Sequence, residues 1–165
     1  MSKPILKVIG VVHSPFQQAA GTPIQSAMAQ GVEGSIEVFP EFEPGLLDLD
    51  GFERIWLLYW LDRAAPAQLV VKPFLDERNR GVFATRAPCR PNPIGLSCVR
   101  LLGIDGGRLR ISDVDILDNT PLLDIKPYAP ALDCFQVRRT GWLQNKANHA
   151  VLADNRFEPK RKARK

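Results

Sequence analysis

The sequence predicts an antiparallel all-β protein, a barrel or a sandwich, and three observations carry that prediction. Short segments rich in β-branched and aromatic residues recur along the chain, separated by turn residues. Proline is frequent, 14 of 165 residues, which shortens elements and works against long helices. No long amphipathic helical pattern is available to cross between parallel strands, so a doubly wound α/β fold is disfavoured. The Gly-x-Gly-x-x-Gly dinucleotide fingerprint is missing after the first strand as well.

Taken in order, residues 5–12 are β-branched and contain Gly10, and residues 35–39 alternate polar and apolar as a half-buried strand does. Residues 54–61, Arg-Ile-Trp-Leu-Leu-Tyr-Trp-Leu, are apolar on both faces and read as a central strand, followed by a short strand over residues 68–74. Residues 81–85 and 94–102 bracket a proline-rich loop. Asp105-Gly106-Gly107 tolerates positive φ and predicts a hairpin between residues 95–104 and 108–116. Helix is expected only over residues 43–49 and 142–153. Trp56, Tyr59, Trp60 and Phe83 lie in apolar runs and are expected in the core. Residues 1–140 are expected to form one body, and residues 141–165 a C-terminal extension with a basic tail.

The net charge of +4 comes from that tail: without the last ten residues the chain has 16 basic and 17 acidic side chains. Lys160-Arg161-Lys162-Ala163-Arg164-Lys165 is therefore either a solvated terminus or an arm for phosphate groups. Cys89, Cys98 and Cys134 form no Cys-x-x-Cys pair and give no zinc spacing with His13 and His149, so no metal site is expected. The odd cysteine count and the polar opening Met1-Ser2-Lys3-Pro4 point to the cytoplasm, and the longest apolar run, residues 55–61, is too short for a membrane span.

Two segments could carry chemistry. Between residues 84 and 97, Pro88, Pro91 and Pro93 stiffen the backbone around Arg86, Arg90 and Asn92. A guanidinium fork held in such a loop suits a carboxylate or a phosphate, or it pairs with acids nearby. In residues 113–121, Asp115 and Asp118 lead out of a strand into a turn made by Asn119 and Pro121. These carboxylates could accept from ribose hydroxyls or an adenine amine, or could tie down the turn itself. Asp62, after the apolar strand of residues 54–61, sits where a barrel mouth is expected, while Lys126 and Tyr128 stand at a strand end.

Gly81-Val82-Phe83-Ala84-Thr85-Arg86, followed by Arg90-Pro91-Asn92-Pro93-Ile94-Gly95, resembles the signature of the TsaA-like (TrmO) family. Asp118-Asn119-Thr120-Pro121, Asp124-Ile125-Lys126-Pro127-Tyr128 and the opening Ile9-Gly10-Val11-Val12-His13-Ser14-Pro15-Phe16 extend the resemblance over residues 5 to 135. Three positions depart from the family pattern: Cys89 stands where an aromatic is usual, Asn119 where glycine is usual, and Asp62 where some members have histidine.

The resemblance implies a single-sheeted β-barrel forming a homodimer, with S-adenosylmethionine near the dimer interface. It implies methylation of N6 on the threonylcarbamoylated adenosine beside the tRNA anticodon. Carried over by position, the cofactor contacts fall on Ile24, Gln25, Ser26, Leu61, Asp62, Arg86, Leu96, Asp115, Ile116, Leu117 and Asp118. Asp118 is the candidate acceptor for the departing proton, and Arg90, Asn92, Lys126 and Tyr128 are candidates for the RNA substrate. The alternatives are a non-catalytic module that binds S-adenosylmethionine or RNA, and a methyltransferase for another substrate.

Overall fold

A computed structural model describes residues 5–146 and 151–159. Its strands are β1 (Gly10–His13), β2 (Glu33–Val38), β3 (Arg54–Trp60), β4 (Val70–Val71), β5 (Arg80–Gly81), β6 (Ile94–Asp105), β7 (Arg108–Ser112) and β8 (Thr120–Pro127). Six of them close into an antiparallel barrel in the order β1-β2-β7-β6-β3-β8, while β4 and β5 pair by themselves. Of the barrel and the sandwich that the strand spacing allows, the fold is the barrel that the family resemblance implies, with a single short α-helix, α1 (Pro130–Asp133), among the described residues.

Period-two alternation fills the barrel. Val12, Ile36, Val38, Ile55, Leu57, Val99, Leu109, Ile111 and Leu122 point inward and are almost fully buried. On β3 the opposite face carries Trp56, Leu58 and Trp60, which are half-buried, so a strand apolar on both faces is central in the sheet, between β6 and β8. The hairpin at Gly106-Gly107 joins β6 to β7 with Asp105 opposite Arg108, and Gly106 takes the expected positive φ of 54°.

Because every barrel pairing is antiparallel, β1, β3 and β7 run one way and β2, β6 and β8 the other. The connections leaving β1, β3 and β7 (residues 14–32, 61–93 and 113–119) consequently emerge at one end, here the upper end. The lower end is covered by 3-10 turns at Pro40–Leu46 and Leu49–Gly51, whose Phe42, Leu46 and Leu49 pack on the core.

Several local expectations give way. Residues 81–85 are not a strand: Val82–Ala84 form a 3-10 turn, closed by the Thr85 amide and hydroxyl, both donating to the Val82 carbonyl. Phe83 is consequently 77% exposed rather than in the core. Pro44 and the positive φ of Asp48 limit the region of residues 43–49 to 3-10 turns. The helix expected over residues 142–153 is reduced to a 3-10 turn at Gly141–Leu143, because Asn145 takes a φ of 63° that ends a right-handed helix. Residues 147–150 of that segment lie outside the described residues, as does the basic tail from residue 160.

At the top of the barrel Tyr59 and Gly95 are cross-strand partners, and the Tyr59 ring lies across the glycine. A Cβ at position 95 would stand 2.1 Å from a ring carbon. Gly95→Ala should therefore displace the ring and destabilise the protein by roughly 1–3 kcal/mol in denaturant titrations; an unchanged midpoint would show that the ring does not need this space.

Candidate functional site

The three upper loops are tied to one another by side chains from each. Arg86, in the connection after β3, donates through Nη1 to Gln25 Oε1 in the connection after β1. The Ser26 amide reaches the Asp115 carboxylate in the connection after β7. Asp118 accepts from the Ser14 amide at 3.2 Å and from Gln17 Nε2 at 3.1 Å, and its own amide donates to the Phe16 carbonyl. Arg63 binds the Asp118 carbonyl and the Thr120 hydroxyl. Residues more than sixty positions apart in sequence are held in one constellation.

Below it, the barrel core ends in a polar chain. Tyr59, held over Gly95, brings its hydroxyl to 3.0 Å from Ser97 Oγ, and Ser97 donates to Asp115 Oδ1 at 2.6 Å. Burial pushes the Asp115 carboxyl up to about 6, against the hydrogen bonds from Ser97 and Ser26 and the charge of Arg86. Burial and the neighbouring Asp115 also raise the Tyr59 phenol, so it stays neutral. Asp118 behaves in the opposite way. Burial opposes its ionisation, but Gln17, the Ser14 amide and His13 together hold it below the usual carboxylate range.

Asp113 and Asn119, at the two ends of the loop, take left-handed φ angles of 68° and 60°. Asn tolerates that region better than most residues, so it can stand where the family pattern has glycine. Asp113 is locked by the Gly31 amide and by a 2.8 Å ion pair with Arg54.

The predicted residues therefore separate by location. Ile24, Gln25, Ser26, Leu61, Asp62, Arg86 and Asp115 to Asp118 all lie on the upper loops. Within that set, Ile116 is buried and Leu61 packs against the core. Asp62 is exposed beside Arg63, 3.5 Å from its Nε. Leu96 faces outward on β6, opposite in direction to Gly95 and Ser97, and is 45% exposed. Arg90 turns back onto the Thr85 and Ala87 carbonyls and braces its own loop. Asn92 is exposed in the same loop. Lys126 and Tyr128 sit away from it, near the lower end of β3: Lys126 pairs with Asp124, and Tyr128 meets Trp56 edge to face at 5.8 Å.

Tyr59 and Ser97 entered the sequence reading as core and as part of a motif. Their spacing held a signal: Gly95 and Ser97 are two apart on one strand, so one face carries both the gap for a ring and the acceptor for its hydroxyl. A groove of about 530 Å³ begins at Ser26 and runs along the outer wall past Trp56 and Cys98 to Tyr128. It does not include Arg86 or Asp115. The constellation of charged loops, rather than the groove, is the candidate site, because it brings an exposed cation and a half-buried carboxylate together.

Residues 11–134 match the model of the tRNA-methyltransferase O N-terminal domain family. A probable S-adenosyl-L-methionine-binding protein of Pyrococcus abyssi is 52% identical over 90% of this chain and 82% of its own length. A tRNA (adenine(37)-N6)-methyltransferase of Mus musculus is 35% identical over 76% of this chain, which spans only 31% of the mouse protein. The crystal structure of TrmO from Pseudomonas aeruginosa superposes with a TM-score of 0.73 at 39% identity, covering 85% of this chain and 62% of that one.

Proposed function

Because the chain belongs to the family of tRNA-methyltransferase O N-terminal domains, we propose that it binds S-adenosylmethionine where the three upper loops meet and methylates N6 of an adenosine in tRNA. The adenosine is the threonylcarbamoylated one beside the anticodon. The observation that carries this reading is the juxtaposition of Arg86, Gln25, Ser26 and Asp115 from three separate connections. Their chemistry fits the group: an exposed guanidinium for a carboxylate, and a half-buried carboxylate for a cation.

S-adenosylmethionine, when bound, supplies a methyl carbon on a positively charged sulfur. Arg86, held by Gln25, would hold the methionine carboxylate through its guanidinium. Asp115 would offer its negative charge to the cationic part, and the backbone of residues 115–118 would supply polar groups for the nucleoside. Since a sulfonium is already a good leaving group, the residues contribute mainly by positioning. The proton lost from N6 goes to a carboxylate of these loops or to water. Asp115, near neutrality, has the basicity for that task, whereas Asp118 is held low and its oxygens already accept from Ser14, Gln17 and Asn119.

The partner surface follows from β6 and β3. Ile94, Leu96 and Leu102 are exposed on the outer wall, next to the half-buried Trp56, Leu58 and Trp60. This apolar face suits a second copy of the chain. Leu96→Glu should turn a dimer into a monomer in light scattering; a variant with unchanged mass would move the interface elsewhere.

Calorimetry with S-adenosylmethionine tests the site. Arg86→Ala should weaken binding by roughly tenfold or more, the worth of a charge-assisted hydrogen bond. A cation beside Asp115 favours its ionised form, so affinity should rise with pH through about 6, by at most about tenfold per pH unit, and level off above it. Asp115→Asn should flatten that profile; a profile unchanged by the substitution would remove Asp115 from the site.

Nucleoside mass spectrometry of tRNA from cells with and without the gene tests the substrate. The N6-methylated nucleoside should disappear without the gene. Its persistence would favour the reading as a binding module or as a methyltransferase for another substrate.

A further inference from the structure

The C-terminal segment touches both loops that carry the candidate cofactor residues. Residues 151–153 add an edge to the connection after β1: Pro23 bridges Leu152, Gly21 N donates to Ala153 O at 3.0 Å, Ala153 N to Thr22 O at 2.8 Å, and Ile24 N to Val151 O at 3.1 Å. Ile24 directly precedes Gln25, and its carbonyl accepts from the Gln25 side chain. Further on, Glu158 accepts from the Ala19 amide at 3.1 Å.

The same segment enters the connection after β3. Phe157 is 8% exposed in a small apolar cluster with Val71, Val82, Ala87 and Cys89, separate from the barrel core. It meets Phe74 edge to face at 5.1 Å, and its carbonyl accepts from the Ala65 amide. The Arg156 guanidinium lies 4.8 Å from the centroid of the Phe74 ring and donates to the Pro73 carbonyl. Ala87, inside this cluster, directly follows Arg86.

We propose that residues 151–158 form a strap that sets the separation of Gln25 and Arg86, with Phe157 as its wedge, and so act as a positioning element for the methyl donor. The strap does not touch the donor. It joins the loop before Gln25 to the loop after Arg86, two segments that leave β1 and β3, which are not neighbours in the barrel. Orienting two ligand-binding groups in advance lowers the entropy lost on binding. The role in cofactor binding rests on the reading of the site given above, whereas the setting of the Gln25–Arg86 pair does not.

Two measurements on the full chain separate these levels. In the ligand-free protein, Phe157→Ala should shift the Arg86 Nε resonance in NMR and speed hydrogen exchange at the Ile24 amide, while the barrel amides keep their protection. Unchanged signals at both positions would overturn the strap, whatever the protein binds. In calorimetry with S-adenosylmethionine, Phe157→Ala should weaken binding by about tenfold or more, and Phe157→Leu should largely restore it.

A double-mutant cycle supplies the discriminating readout. Adding Phe157→Ala to Arg86→Ala should cost little further affinity, because the strap acts through that arginine. Fully additive losses would overturn the assignment. Glu158→Ala removes only the acceptor for the Ala19 amide and serves where Phe157→Ala does not fold, with the same resonances expected to move. Wild-type protein that binds no S-adenosylmethionine would sink the proposed function and leave the NMR result to decide the strap.

Discussion

A carboxylate at the end of a closed apolar barrel needs hydrogen bonds or a proton. Asp115 meets that constraint through Ser97, and Ser97 is in turn engaged by the Tyr59 hydroxyl, which reaches it because the ring lies over Gly95. A missing side chain on β6 makes room for a ring on β3, and the ring completes the polar layer that separates the core from the loops above. Core packing and site electrostatics are thus decided by the same few atoms. The near-neutral carboxyl of Asp115 is a result of this burial, not of a like charge placed beside it.

The antiparallel closure then determines which loops can meet. Three connections leave at one end, and the hairpin at Gly106 and the connection of residues 39–53 occupy the other. Each of the three supplies one kind of element: extended backbone before Gln25, a proline-braced loop around Arg86, and a turn pinned at both ends by left-handed residues around Asp115. Arg90 shows how the proline segment keeps its form. Its guanidinium is spent on the carbonyls of its own loop, which leaves Arg86 as the cation directed outward.

The all-β class is legible in the sequence because alternation, a two-residue hairpin and the lack of long helices are all local signals, whereas closure into a barrel rather than a sandwich is implied only by the family resemblance. The hairpin at Gly106 and the central strand of residues 54–61 were read on such grounds, and both hold. Residues 81–85 and 142–153 were misread for a common reason. Their conformation depends on where a single side chain is buried or on one backbone angle: Val82 in its cluster, Asn145 at positive φ. The cofactor positions came from the family resemblance. Their convergence could not be read locally, since it rests on strand order, and the Tyr59–Ser97–Asp115 chain spans three strands or loops.

Among the described residues there are two apolar clusters of unequal size, one filling the barrel and one of a few side chains around Phe157. Free energies of local opening scale with what each unit buries, so the smaller cluster can come apart while the barrel remains intact. That inequality gives the molecule a hierarchy of exchange times. The upper loops can therefore relax on the minor cluster's time scale, without the far slower unfolding of the sheet.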